Sequence, residues 1–279
     1  MRNTSSISTQ VWLFVVSTSL VFLILCSQLG GRLGLFLGLL IALTFHTLIF
    51  LWGEGFLLKN FTLSPLKGQD PWRLNDKLDQ WTVENKQEKP RLFLMSCSLP
   101  TAFSFELPWK HSMIVLSEGL LKTMSHEEVE MVLAHQLCQL RHRRNLRFAV
   151  LSLLANTFSQ LAVKLDKFWI PNYVFGRKQK PFLYAFSPVI SALVRLSHST
   201  TDQFAADQNA AQLIGSREKL GRLLWKLEGW ALTHPIDVPP ATSQLFIVNP
   251  ERIRQKNHLL QFHPPTQSRL EKLVGSYPI

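Results

Sequence analysis

One stretch of the chain concentrates side chains that can do chemistry. Residues 125–145 read SHEEVEMVLAHQLCQLRHRRN, and within them His135, Cys138, Gln139 and His142 fall at i, i+3, i+4 and i+7. On a helix turning 100° per residue these four lie within about 100° of one another. Imidazole and thiolate groups sharing a face can hold a borderline-soft metal ion, and a metal-bound water is a nucleophile for hydrolysis. Distance restricts the set. Seven residues advance about 10 Å along a helix axis, so His135 and His142 cannot both reach one ion through bonds of about 2.0–2.3 Å without distortion. His135 with Cys138 is the easier pair, with Asp202 or Asp207 as carboxylates approaching from a second segment. Two ordinary roles compete with this one: Cys138 as a small buried hydrophobe, and His142 as a solvated or headgroup-facing side chain among arginines. Gln136 follows His135, and no Glu stands where a general base would be wanted.

The elements that must position these residues are legible nearby. Ser125 with Glu128 three residues later forms a capping-box pattern, which predicts a helix from there to about Asn145 with Val129, Val132, Leu133, Leu137 and Leu140 on an apolar side. Ser117 is placed to cap a short helix running through Leu121. Upstream, residues 92–96, 102–105 and 113–116 are short β-prone runs broken by Pro100 and Pro108, which predicts a small sheet. The polar stretch 67–90 is consistent with a helical approach to that sheet.

Composition points to a membrane. Hydrophobic residues make up 46% of the 279, against 18% charged, which excludes a disordered or fibrous chain. Residues 3–31 carry no Asp, Glu, Lys or Arg, nor do residues 33–53, and each stretch reaches the roughly 20 residues needed to cross a bilayer core. The intervening QLGGR allows a tight reversal, so the pair predicts a transmembrane hairpin. Trp52 fits an interfacial anchor, and His46 inside the second span fits a neutral side chain satisfied by the neighbouring helix. Lys and Arg are abundant after Lys59, so the bulk is expected on the cytoplasmic side of the inner (plasma) membrane. Residues 148–163 and 181–194 are uncharged but short. They are read either as membrane-inserted or as buried core helices, the second kinked at Pro188. A net charge of +5 across residues 148–199, preceded by Arg141, Arg143, Arg144 and Arg147, suits anionic headgroups. No nucleic-acid-binding pattern accompanies the charge. The cysteines, Cys26, Cys97 and Cys138, form no disulfide framework. His198 and Asp202 are i, i+4 partners read as a structural contact.

The two apolar spans, TAFSF, GLLKTM, HEEVE, AHQLCQLRHRR, SHSTTDQFAADQNAAQLIG, LFIVNP and FHPPTQSRLEKL occur in an order that resembles the HtpX-like membrane zinc metallopeptidases, relatives of the CAAX prenyl proteases. The resemblance runs essentially end to end. In that family the two His of HExxH bind zinc, the Glu between them is the general base, and a downstream Glu is the third ligand. Carried onto this chain, the first ligand is His135, the base position is Gln136, the second ligand position is Gln139, and the third is Gln203 within DQFAAD. An amide has no lone pair basic enough to take a proton from zinc-bound water, so hydrolysis is expected to stall. Neutral amide oxygens are poor partners for zinc, so no cofactor is expected unless Cys138 and His142 substitute as ligands. Gln keeps the shape of Glu, so the pocket is expected to stay folded and able to cradle a peptide. His263 and Arg269 match family positions by motif alone.

The expectation is therefore an α+β membrane protein. Residues 1–58 form a transmembrane hairpin, residues 59–147 with 197–279 a zincin-type peptidase domain with a small sheet, and residues 148–196 an inserted hydrophobic helix pair. Its expected role is to bind membrane proteins or a partner protease without cleaving them, with the lipid bilayer as a further partner. An active zinc endopeptidase using substitute ligands is the alternative.

Overall fold

The computed structural model describes residues 4–58, 62–66, 70, 72–106, 111–143, 146–169, 181–197, 200–236, 245–249 and 264–275. The chain divides into two compact units, Met1–Lys59 and Asn60–Ile279.

The first unit is one apolar helical run, α1 (Thr4–Leu58), broken at Gly31, whose φ of 54° and ψ of −129° only glycine adopts without strain. The break folds the run back on itself. A Cβ at Gly38 would lie 2.9 Å from the carbonyl of Phe22, so the missing side chain lets the two arms approach closely. Phe22 meets Phe45 edge-on at 5.3 Å, and Thr18 Oγ1 lies 2.8 Å from His46 Nε2, across 28 residues of sequence. His46 is thus satisfied by the opposite arm, as the sequence suggested. The stretch Val15–Thr47 is apolar enough to cross a membrane by length and composition. The side chain of Trp52 lies outside the described residues.

The second unit is mostly helical around a four-stranded sheet of order β1-β2-β4-β3. Strand β1 (Leu63–Pro65), which the sequence reading missed, is antiparallel to β2 (Arg91–Met95). Strand β2 runs parallel to β4 (Met113–Ser117), and β3 (Ala102–Phe105) closes the far edge antiparallel to β4. Helix α2 (Leu74–Glu84) buries Leu74, Leu78 and Trp81 in the core. Helix α3 (Glu118–Thr123) begins at Ser117, whose Oγ accepts from Leu120 N at 3.0 Å and Thr101 N at 2.9 Å while donating to the Leu99 carbonyl at 2.7 Å.

The capping box of the next helix forms as its spacing predicts. Glu128 N donates to Ser125 Oγ at 3.3 Å and Ser125 N to Glu128 Oε2 at 2.8 Å, opening α4 (His126–Arg143). Helices α5 (Leu146–Trp169) and α6 (Pro181–Ser197) pack on each other through Ala155, Ala162, Leu183 and Ile190. Both carboxylate oxygens of Asp166 accept backbone amides at the start of α6, from Phe182 at 2.9 Å and Leu183 at 3.1 Å. The chain then returns as α7 (Thr200–Ile214), α8 (Arg217–Thr233) and α9 (Thr266–Val274). Residues of α2, α3, α4, α7, α8 and α9 and of the sheet share one apolar core, which includes Ile114, Leu116, Leu120, Val132, Leu133, Leu220, Leu224 and Leu270.

Candidate functional site

Helix α4 runs through the middle of that core. Every residue from Met131 to Leu137 is buried, so the middle of the helix has no polar face toward water, and there the division into an apolar and a ligand-bearing side gives way to burial all round. His135, Gln136 and Gln139 are 1%, 0% and 2% exposed. Helix α7 packs along α4 and contributes Gln203 and, one turn later, Asp207, each 1% exposed. Helix α9 contributes Arg269, also 1% exposed.

These elements converge on the carboxylate of Asp207. Arg269 donates from Nε to Oδ2 at 2.9 Å and from Nη2 to Oδ1 at 2.7 Å, the two-pronged geometry that makes arginine–carboxylate pairs strong. His135 Nε2 lies 2.8 Å from Oδ1. Burial alone would push the Asp207 carboxyl up, but the charge and hydrogen bonds of Arg269, with those of His135, hold it well below the usual carboxylate range. An ionised carboxylate only accepts, so the hydrogen in the His135 contact is carried by Nε2. Arg269 Nη2 lies 3.3 Å from that same nitrogen, and its Nη1 donates to the carbonyl of Ile247 at 2.6 Å. The ion pair is fully desolvated, with carboxylate and guanidinium neutralising one another.

Next to this network the two α4 glutamines stand without hydrogen-bond partners. None of the side-chain oxygens and nitrogens of Gln136 and Gln139 is bonded among the described residues. Leaving a buried polar group unsatisfied costs about 1–3 kcal/mol, so these amides are groups in need of a partner.

Tested as a zinc site, this donor set does not fit. The ring nitrogen Nε2 of His135 is committed to Asp207 and sits beside a guanidinium, which opposes a cation there. Gln136, Gln139 and Gln203 offer neutral amides in place of imidazole and carboxylate. Burial pushes the Cys138 thiol up to about 12, outweighing the opposite pull of Arg141, so this side chain is a neutral thiol rather than a thiolate ligand. Asp202 is half-buried on α7. The side chain of His142, and the whole of His198 and His263, lie outside the described residues. Among the described residues no three His, Cys, Asp or Glu side chains converge.

The structure thus brings together His135 and Asp207, with Gln136, Gln139 and Gln203 on the same two helices. It adds one participant, Arg269, that the sequence matches to a family position without assigning it a role. Arg269 was visible as a charge on the buried side of α9, beside Leu270 and Leu273, and a buried charge demands a partner. Asp207 was visible as an acid in the otherwise apolar face of QFAADQNAA, one turn after Gln203.

His135 thus stands on a buried helix that packs along α7 beside a short mixed sheet. The sequence pattern of peptidase family M48 matches residues 73–276, and the chain belongs to that family. It is an HtpX-like member. It is 26% identical over 274 residues to the "Protease HtpX homolog" of Pelotomaculum thermopropionicum, covering 95% of this chain and 97% of that one. It is 27% identical over 267 residues to the homologue of the same name from Desulfatibacillum aliphaticivorans, covering 92% and 86%. Among solved structures, S. mikatae Ste24p shares the fold at a TM-score of 0.50 and 16% identity; the match covers 96% of this chain and 64% of that one.

Proposed function

We propose that this chain is a membrane-anchored M48 homologue that binds polypeptide segments, from membrane proteins or a partner protease, without hydrolysing them. The observation that carries this reading is the state of His135: its Nε2 is held by Asp207 at 2.8 Å, beside two buried glutamine amides that have no partner among the described residues. A primary amide supplies neither a base nor a good zinc ligand, so this centre lacks what hydrolysis needs. The apolar hairpin of α1 supports an anchor in the inner membrane, and the Lys and Arg that follow Lys59 support a cytoplasmic placement of the bulk of the chain.

Elemental mass spectrometry of the detergent-purified chain, paired with a casein turnover assay, tests this. The expected result is less than stoichiometric zinc after re-addition and no turnover above a His135→Ala control. One tightly held zinc per chain that depends on His135 and Cys138, together with chelator-sensitive cleavage, would overturn the proposal in favour of an enzyme with substitute ligands.

A further inference from the structure

Helix α6 has two unlike sides. Leu183, Ser187, Ile190 and Ser191 are buried, and Leu183 and Ile190 pack with Ala155 and Ala162 of α5 in a core separate from the main one. The other side carries Pro181, Tyr184, Ala185, Pro188, Val189 and Ala192, which recur at the spacing of one helix face and are all exposed. None of the six is charged, and Tyr184 and Val189 stay 51% and 46% exposed. Pro188 lacks the amide that would bond the Tyr184 carbonyl, and Ser187 Oγ donates to that carbonyl at 2.7 Å instead. The backbone is thereby satisfied at the proline without help from water, as an apolar surrounding requires.

We propose that α6 lies along the cytoplasmic surface of the bilayer, with this apolar face seated just below the headgroups and the basic residues at its two ends on anionic phospholipid. Charge selects the occupant. Lys178 and Lys180 precede the face and Arg195 follows it, and the sole acid among residues 148–199, Asp166, is buried and accepts the amides of Phe182 and Leu183. A second copy of the chain on the same face would set these cations against one another. Length and charge both oppose a crossing. The uncharged run 181–194 extends about 21 Å, short of a hydrocarbon core about 30 Å thick. A crossing pair would also carry the connection from Lys164 to Lys180, with Lys167, Arg177 and Lys178 between them, to the far side, where basic residues are disfavoured. An apolar helix face with cations at its ends suits the interface plane instead, and Tyr184 places a ring with a polar tip at that level.

The test uses the full chain with Cys26, Cys97 and Cys138 replaced by Ser, reconstituted into vesicles of phosphatidylethanolamine with phosphatidylglycerol. Nitroxide labels are placed at Ala185→Cys, Val189→Cys and Ala192→Cys, and their depth is read from collision with oxygen against a water-soluble nickel chelate. These three side chains are exposed, so labels there leave the packing against α5 in place. All three labels should lie at one depth, about 5–10 Å below the headgroups, and should move toward water when phosphatidylcholine replaces phosphatidylglycerol. A depth that changes by about 10 Å between positions 185 and 192 would mean a crossing helix and overturn the proposal. Labels fully open to the chelate, or coupled to labels on a second chain, would overturn it too. Unchanged depth without phosphatidylglycerol would overturn the part played by the basic ends. If the cysteine-free chain does not fold, the native chain decides the matter: photoactivatable phosphatidylglycerol should leave adducts within 181–192, and adducts confined to α1 would overturn the proposal.

Discussion

Asp207 and Arg269 sit where either charge alone would be ruinous. Breaking a buried pair by removing one partner costs about 3–5 kcal/mol because the other charge is left without compensation. Arg269→Gln should therefore lower the unfolding free energy by about that amount, as read from denaturant midpoints of the detergent-solubilised chain. The double variant Arg269→Gln with Asp207→Asn should be less damaging than Arg269→Gln alone, whereas strictly additive losses would mean that the two side chains do not compensate one another. The same pair sets an acid limit. A carboxyl held below its ordinary value stabilises the fold fully above about pH 4, and the benefit fades as pH falls toward the folded value. Thermal unfolding followed from pH 6 to pH 2 should show a loss that Asp207→Asn largely abolishes. For Cys138 the shift has the other sign, and its thiol should resist iodoacetamide at pH 8 until the chain is denatured. Rapid labelling of the folded protein would reveal a thiolate and restore Cys138 as a candidate ligand.

Among the elements, the caps differ in what their loss exposes. Ser117 Oγ is buried and joins three backbone segments, ending β4, starting α3 and holding the loop before β3. Among the described residues, Ser216 Oγ makes one cap bond, an exposed one in which it accepts from Lys219 N at 3.3 Å. Ser117→Ala should cost about 2–4 kcal/mol, a cap plus a buried orphan amide, and Ser216→Ala about 1 kcal/mol, both measurable by thermal unfolding. Such local chemistry is what made the elements readable in advance. The strands β2, β3 and β4, the caps at Ser117 and Ser125 and the reversal at Gly31 follow from turn residues, short apolar runs and the serine–glutamate spacing, all of which act within a few positions. Strand β1 escaped notice because three residues ending in Pro65 carry no alternation of their own and pair only through β2. The centre was half legible. The glutamines were visible as departures from a motif, but the bond between His135 and Asp207 spans 72 residues and that between Asp207 and Arg269 spans 62, distances that no local pattern encodes.

At the scale of the whole molecule, the N-terminal unit is a hairpin because its arms meet side chain to side chain. Thr18→Cys with His46→Cys should form an oxidant-dependent crosslink in a background lacking the native cysteines, and should compact the chain on a non-reducing gel. A crosslink seen only between separate chains would mean the arms do not fold back on each other.

The long reach of Arg269 also has a consequence for the newly made chain. Elements emerge in order, so α4 and α7 are available together before the arginine that makes their contact tolerable has been synthesised. Asp207 must wait through 62 residues for its guanidinium, and at growth rates of about 5–20 residues per second that interval lasts roughly 3–12 s. Throughout it, the ionised carboxylate has reason to stay in water, which keeps α7 from sealing against α4. Helices α5 and α6, joined locally through Asp166, can settle meanwhile. The buried centre is thus the last part of the nascent protein to close.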